Sequence, residues 1–258
     1  MKASPGYSHF RTIIGVIPAR YDSSRLPGKP LIPIMGKPMI QHVYERASRS
    51  PLLNYLFVAT DDVRICEAVE NFGGRTIMTS SRHRSGTDRI AEAVVDIECD
   101  LVVNIQADEP MLVPEMISDV LSPFFKDAGI LFSTLAEEIK DYRDLSNPGI
   151  VKLVFDIDRN ALYFSRSMIP FCRDYSGGKP DLNHINVYKH IGIYGYRKEF
   201  LLKFVSLPPS PLEQLERLEQ LRALENGYPV KVTVTRYSSC PVDTPDDLER
   251  VRELMGKI

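Results

Sequence analysis

Residues 12–29 read TIIGVIPARYDSSRLPGK, and their order decides the fold. Ile13–Ala19 is a short apolar run, the first of several that alternate with helical patterns as in βα units on a parallel sheet. It is too short to span a membrane and is followed at once by Arg20. Three cations, Arg20, Arg25 and Lys29, then sit in a polar loop whose backbone is shaped by Pro27 and Gly28. A helical pattern over Pro38–Ser48 completes a strand, loop and helix unit.

The unit repeats along the chain. YLFVATDD (55–62) predicts a strand ending in acids, Val63–Phe72 a helix, and Gly73–Gly74 its stop. RTIMTS (75–80) predicts a third strand and Thr87–Ile97 a helix. DLVVNIQADEP (100–110) is an apolar strand running into a polar tip. After Glu137 the texture changes: VKLVFD, ALYFSR and HIGIYGYR read as antiparallel strands, interrupted by the polar, glycine-rich stretch Arg173–His184. SPLEQLERLEQLRALENG (210–227) reads as one long helix, with Ser210 as N-cap, Pro211 at the first position and Glu213 closing a capping box. Leucines 212, 215, 218, 221 and 224 would be its apolar face and Gly227 its end. KVTVTRY is a last strand, and Thr244–Pro245–Asp246–Asp247 opens a capped last helix. The expected architecture is α/β: an open, mostly parallel sheet flanked by helices. A flexible arm covers 1–11 and a single domain 12–258, with a smaller mixed subdomain inserted at about 137–197.

Bulk properties exclude several functions. The net charge of −2 argues against a nucleic-acid partner, which a basic excess usually marks. No segment approaches the roughly twenty apolar residues of a membrane helix, and no signal-peptide pattern opens the chain. Four scattered cysteines without CxxC or Cys/His metal spacing fit reduced thiols in a cytoplasm.

The first loop carries the first functional signal. Open α/β sheets bind ligands at the carboxyl ends of their strands. Cations there can neutralise a polyphosphate, and arginine can fork onto phosphate oxygens. A solvated basic loop is the plain alternative. The loop is not a P-loop, because Gly28–Lys29 is followed by Pro30, and it lacks GxGxxG, which disfavours a nicotinamide fold.

IPARYDSSRLPGKPL followed by GKPMIQHV resembles the start of the sugar-acid cytidylyltransferases, and most closely the 3-deoxy-manno-octulosonate (Kdo) cytidylyltransferase family. The likeness runs from Ile13 to Met255. It takes in HRSGTDRI, VNIQADEPM, NPGIVKLVFD, ALYFSRSMIP, HIGIYGY, PSPLEQLERLEQLR and VDTPDDLERV, in order. It implies a Rossmann-like fold of the nucleotide-diphospho-sugar transferase type. It further implies transfer of CMP from CTP to an acidic 2-keto-3-deoxy sugar in lipopolysaccharide synthesis, a magnesium cofactor and a homodimer formed through the middle subdomain.

Nucleotidyl transfer is an in-line displacement in which positioning and charge neutralisation dominate. Magnesium prefers one or two carboxylates plus phosphate oxygens and water. Asp108 and Asp243, each just beyond a predicted strand, fit that need, and the resemblance makes them the metal ligands. The alternative is capping, which aspartate often does; Thr87 and Thr244 stand where caps are expected. Glu109 could replace Asp108, but the family pattern favours Asp108. Ser85 and Gly86 lie at a strand-to-helix turn, whose N–H groups favour an anion or a polar base edge, or serve only as a cap.

The resemblance puts Ser85 and Gly86 on the nucleotide, with Arg20, Arg25 and Lys29, and makes Arg20 and Lys29 catalytic with the two aspartates. Gln106 is a candidate for both nucleotide and sugar. Arg166, His190, Tyr194, Glu213 and Gln214 are candidates for the sugar acid, each in a matching segment. Tyr194 and Tyr196 alternate with Ile191 and Ile193, so one strand face is core, and a lone histidine is often structural. Two departures stand out: Ala107 where the family usually has glycine, and Cys240–Pro241 where it has a Thr–Gly-like pair. Competing readings are the same chemistry on amino-substituted Kdo or a sialic acid, a nonenzymatic nucleotide-sugar module, and a dehydrogenase.

Overall fold

A computed structural model of the chain describes residues 10–22, 26–83, 85–173, 182 and 185–257. The expected arm lies largely outside these, as do Arg25 and most of the glycine-rich stretch after Arg173.

The opening run forms β1 (Ile13–Ala19), almost wholly buried. It pairs in parallel with β4 (Tyr55–Thr60) on one side and β6 (Leu101–Asn104) on the other, and β4 pairs with β5 (Thr76–Met78). A small hairpin of β2 (Pro33–Ile34) and β3 (Lys37–Pro38) leads into α1 (Met39–Ala47). The helices α2 (Val63–Asn71) and α3 (Gly86–Val94) follow β4 and β5 as the pattern predicts. After β6 come α4 (Pro114–Lys126), β7 (Phe132–Glu138), α5 (Tyr142–Ser146), β8 (Lys152–Phe155) and β9 (Ala161–Ser165). The chain ends with β10 (Tyr188–Arg197), α6 (Lys198–Ser206), α7 (Pro211–Glu216), α8 (Leu221–Glu225), β11 (Lys231–Thr235) and α9 (Pro245–Met255).

The strand order is β11-β7-β10-β6-β1-β4-β5, with β8 joined to β10 and β9 to β8. β10 is antiparallel to both neighbours, β6 and β7, while β11 runs parallel to β7. The middle segment is therefore continuous with the main sheet. Tyr188 and Lys189 pair with β8, and Tyr194–Arg197 pair with β6.

Side chains alternate through the sheet because successive residues of a strand face opposite sides. Ile13, Ile17 and Ala19 of β1 join α1, α2 and α4 in one apolar layer. Ile14 and Val16 join α3, α6 and α8 in the other. β10 obeys the same rule, with Ile191 and Ile193 in the first layer and Tyr196 in the second. A third cluster packs Leu248 and Val251 of α9 against Leu26, Ile34, Met39 and Val242. It clamps the C-terminal helix onto the cationic first loop.

The long helix expected over 210–227 is broken. Arg217 adopts a left-handed conformation, φ 56° and ψ 46°, between α7 and α8. The leucine spacing explains the break. A step of three residues falls roughly 60° short of a full helical turn, so five leucines at that spacing wind around a straight helix instead of lining one face. Breaking at Arg217 buries Leu218 and Leu221 and leaves Leu215 80% exposed. Gly227, φ 77°, ends the segment as expected.

Candidate active site

Three of the predicted residues meet where β1, β6 and α9 converge. Lys29 follows the β1 loop, Asp108 the β6 tip, and Asp243 precedes α9. Lys29 Nζ donates to Asp108 Oδ2 at 2.6 Å, to Asp243 Oδ1 at 3.1 Å and to the Val242 carbonyl at 3.1 Å. The backbone is tied at the same point, with Val242 N–H donating to the Asp108 carbonyl at 2.9 Å. Burial alone would push the Lys29 ammonium down, but Asp108 and Asp243 together hold it above the usual lysine range. The capping alternative for Asp243 is taken by its neighbour: Thr244 caps α9, with Asp247 completing the box. Arg20 stands exposed just beyond β1.

Gly28 holds this loop in shape. Its φ is 66°, and a Cβ there would lie 3.1 Å from the Tyr21 ring, so any side chain there would be strained. Arg64 of α2 stacks on the same ring, 3.3 Å from its centroid.

A second polar cluster lies beyond the carboxyl ends of β1 and β6. Ser85, not Thr87, caps α3: its Oγ accepts from Asp88 N–H at 3.1 Å. That hydroxyl also donates to Glu219 Oε1 at 2.9 Å, and Thr87 Oγ1 donates to Glu219 Oε2 at 2.6 Å. A Cβ at Gly86 would lie 3.1 Å from Pro18, so this glycine lets the start of α3 approach the end of β1. Gln106 Nε2 donates to Asn104 Oδ1 at 3.0 Å and lies beside Gly192. Tyr194 Oη donates to Gln220 Oε1 at 3.2 Å. Gln220 is 3% exposed, and its Nε2 has no hydrogen-bond partner among the described residues.

The remaining candidates are engaged elsewhere. Arg166 Nε donates to the Glu216 carbonyl at 2.9 Å and its Nη1 to the Pro148 carbonyl at 3.2 Å. The wholly buried Lys152 holds the Arg166 carbonyl at 2.6 Å. Glu213 accepts a fork from Arg222, at 2.8 and 2.5 Å, as well as Ser210 N–H. Gln214 donates to the Pro209 carbonyl at 3.3 Å on the surface. The residues that sequence reasoning missed are Glu219 and Gln220. Their signal is the leucine spacing itself, which cannot place all five leucines on one face of a straight helix.

A family model described as cytidylyltransferase matches residues 14–234. A 3-deoxy-manno-octulosonate cytidylyltransferase of Thermodesulfovibrio yellowstonii is 54% identical, over 92% of this chain and 95% of its own. An 8-amino-3,8-dideoxy-manno-octulosonate cytidylyltransferase of Shewanella frigidimarina is 52% identical, over 91% and 95%. A solved structure of CMP:2-keto-3-deoxy-manno-octonic acid synthetase complexed with CTP superimposes with a TM-score of 0.88 at 44% identity, covering 96% of this chain and 99% of that one. The chain belongs to the cytidylyltransferase family.

In this cytidylyltransferase the departure at Ala107 is harmless to the backbone. Ala107 is not among the residues at positive φ, and its methyl packs on the first apolar layer. Burial pushes the Glu219 carboxyl up, against the hydrogen bonds from Thr87 and Ser85. His190 lies partly buried between Phe164 and Tyr194, with Nε2 2.9 Å from Thr134 Oγ1. Burial lowers its pKa from 6.5 to about 3, so the ring is neutral near pH 7. The unfolded chain therefore binds a proton that the folded chain refuses between those two values. The contribution is full above pH 6.5 and drains as pH falls towards 3, by at most about 1.4 kcal/mol per pH unit. His190→Gln should flatten the pH dependence of the urea midpoint in that window. Unchanged slopes would show that the ring titrates freely in the folded protein.

Proposed function

We infer that this chain transfers CMP from CTP to 3-deoxy-manno-octulosonate, releasing pyrophosphate. The observation that carries the reading is the convergence of Lys29, Asp108 and Asp243 at the strand tips, in a chain so close to a CTP-bound synthetase. A sugar hydroxyl attacks the α-phosphorus of CTP. The new phosphorus–oxygen bond forms as the bond to the bridging oxygen breaks, and the hydroxyl proton is lost. The chain's work is to neutralise and align, since such displacements need little covalent help.

Asp108 and Asp243 are suited to hold a magnesium ion. Two carboxylate oxygens already converge on one cationic nitrogen. Among the described residues no group of three or more metal-ligating side chains forms a cage. Two carboxylates completed by phosphate oxygens and water is the usual magnesium arrangement. When bound, the ion supplies charge neutralisation at the phosphates. Arg20 and Lys29 face the triphosphate in this reading, and Ser85 and Gly86 the nucleoside.

On the acceptor side, Gln106, His190 and Tyr194 are joined by Glu219 and Gln220. The Gln220 Nε2, without a hydrogen-bond partner among the described residues, is a donor suited to a sugar oxygen or carboxylate. Glu213 instead steadies Arg222, which lies 3.6 Å from Glu219. We further infer a homodimer formed through the middle segment, where Ile157 and Leu162 stand exposed. A cytoplasmic location fits four free thiols; no helix among the described residues is long and apolar enough to cross a membrane.

A second reading is the 8-amino sugar, because a relative of that specificity is as similar as the others. Pyrophosphate release should be measured with CTP, ATP or GTP against Kdo, 8-amino-Kdo and a sialic acid. Rapid release with CTP and Kdo is expected, and none with purine nucleotides. Preference for the amino sugar would select the second reading. No release with any acceptor would end the enzymatic one.

A further inference from the structure

We propose that Glu109 and Glu137 are positioning residues that set Asp243 against Asp108 by gripping Ser238 and Ser239. This inference rests on the reading of Asp108 and Asp243 as the metal pair. The segment between β11 and α9 has no regular secondary structure, yet it must deliver Asp243 to a fixed point. Regular hydrogen bonding cannot hold it, so side chains must.

The contacts at its start are specific. Ser239 Oγ donates to Glu109 Oε1 in a short hydrogen bond. Ser238 Oγ donates to Glu137 Oε1 at 2.8 Å, and Ser239 N–H to Glu137 Oε2 at 3.4 Å. Glu137 lies on β7 and is steadied by Lys189 of β10, 3.4 Å away. Glu109 is the residue after Asp108, so the residue that grips the segment and the proposed metal ligand share one backbone turn. Its amide donates to the Gln106 carbonyl at 3.3 Å, and its own carbonyl accepts from Leu112.

From Ser239 the chain has little freedom before Asp243. Pro241 has its φ locked by its ring. Val242 is fully buried in the cluster beneath α9, and its amide is bonded to the Asp108 carbonyl. Holding Ser239 therefore limits where the Asp243 carboxylate can go.

Glu109 is 5% exposed beside two other acids. Burying a carboxyl there is costly unless its hydrogen bonds are needed. A serine clamp needs an acceptor, not a charge, which makes the proposal testable with a conservative exchange.

The test uses the full chain bound to CTP. Manganese stands in for magnesium, and free and bound manganese are counted by electron paramagnetic resonance. Ser239→Ala and Glu109→Ala should each weaken manganese binding about tenfold, the size of one lost hydrogen bond. CTP affinity measured without metal should stay within about twofold. Glu109→Gln keeps the acceptor oxygen and should restore manganese affinity to nearly that of the unmodified chain. Unchanged manganese affinity in Ser239→Ala would overturn the proposal, whether or not its melting temperature drops. Should Glu109→Ala fail to fold, Ser239→Ala and Glu109→Gln decide alone. Asp108→Asn separates the two readings: if it too binds manganese normally, the metal pair itself is wrong and the proposal falls with it.

Discussion

Replacing Asp108 by asparagine should leave a folded chain that has lost most of its turnover, by roughly a hundredfold or more at any practical magnesium level. The exchange keeps size and most hydrogen bonding but removes one of the two carboxylates that converge on Lys29 Nζ, 2.6 Å and 3.1 Å away. Asp243→Asn should match it. If the two act as one unit, the double variant should be little worse than either single one, since residues that work together are strongly non-additive. A purely structural role predicts the reverse pattern, a lowered melting temperature with turnover kept. That alternative is already weakened for Asp243, because Thr244 and Asp247 supply the cap of α9. Melting temperature and turnover for the three variants settle the matter, and near-normal turnover in Asp108→Asn would remove the centre of the mechanism.

Lys29→Ala is expected to lower kcat/KM for CTP by about ten- to a hundredfold, the loss of one charge-assisted contact of roughly 1.5–3 kcal/mol. The geometry adds that extra magnesium should not restore the rate. Lys29 both faces the phosphates in the proposed reading and holds two like charges together before any substrate arrives. Lys29→Arg should rescue poorly. A planar fork cannot reproduce three bonds from one nitrogen to Asp108, Asp243 and the Val242 carbonyl. Full recovery in high magnesium would reduce Lys29 to a counter-ion for the acids. Normal kinetics would return the whole loop to solvated surface.

Much of the site is legible in the order of residues alone. The cations after β1 and the acids after β6 and before α9 are short polar stretches at the ends of apolar runs. In an α/β sheet such ends gather on one edge. The caps are nearly as plain: Thr244 and Asp247 form the box that their spacing predicts. At α3 the cap falls two residues earlier than Thr87, on Ser85, which frees Thr87 to hold Glu219.

The acceptor side is less legible. Glu213 and Gln214 are held at the start of α7, by the Ser210 capping box and by the Pro209 carbonyl. The break spends Glu213 on Arg222 and turns Glu219 and Gln220 towards Ser85, Thr87 and Tyr194. Arg166 is likewise absorbed by contacts with Glu216 and Pro148, which lie far from it in the chain.

The sequence by itself determined the alternation of strands and helices in the first half, the starts of α2, α7 and α9, and the three charged residues beyond the strands. These depend on periodicity and capping within a few neighbouring residues. Only the tertiary structure decided that β10 enters the sheet between β6 and β7, that Lys29 reaches across 214 positions to Asp243, and that Ser85 meets Glu219 across 134. Such pairings are chosen by which faces the whole fold can bury and by the register of distant strands. No local window of residues contains that information.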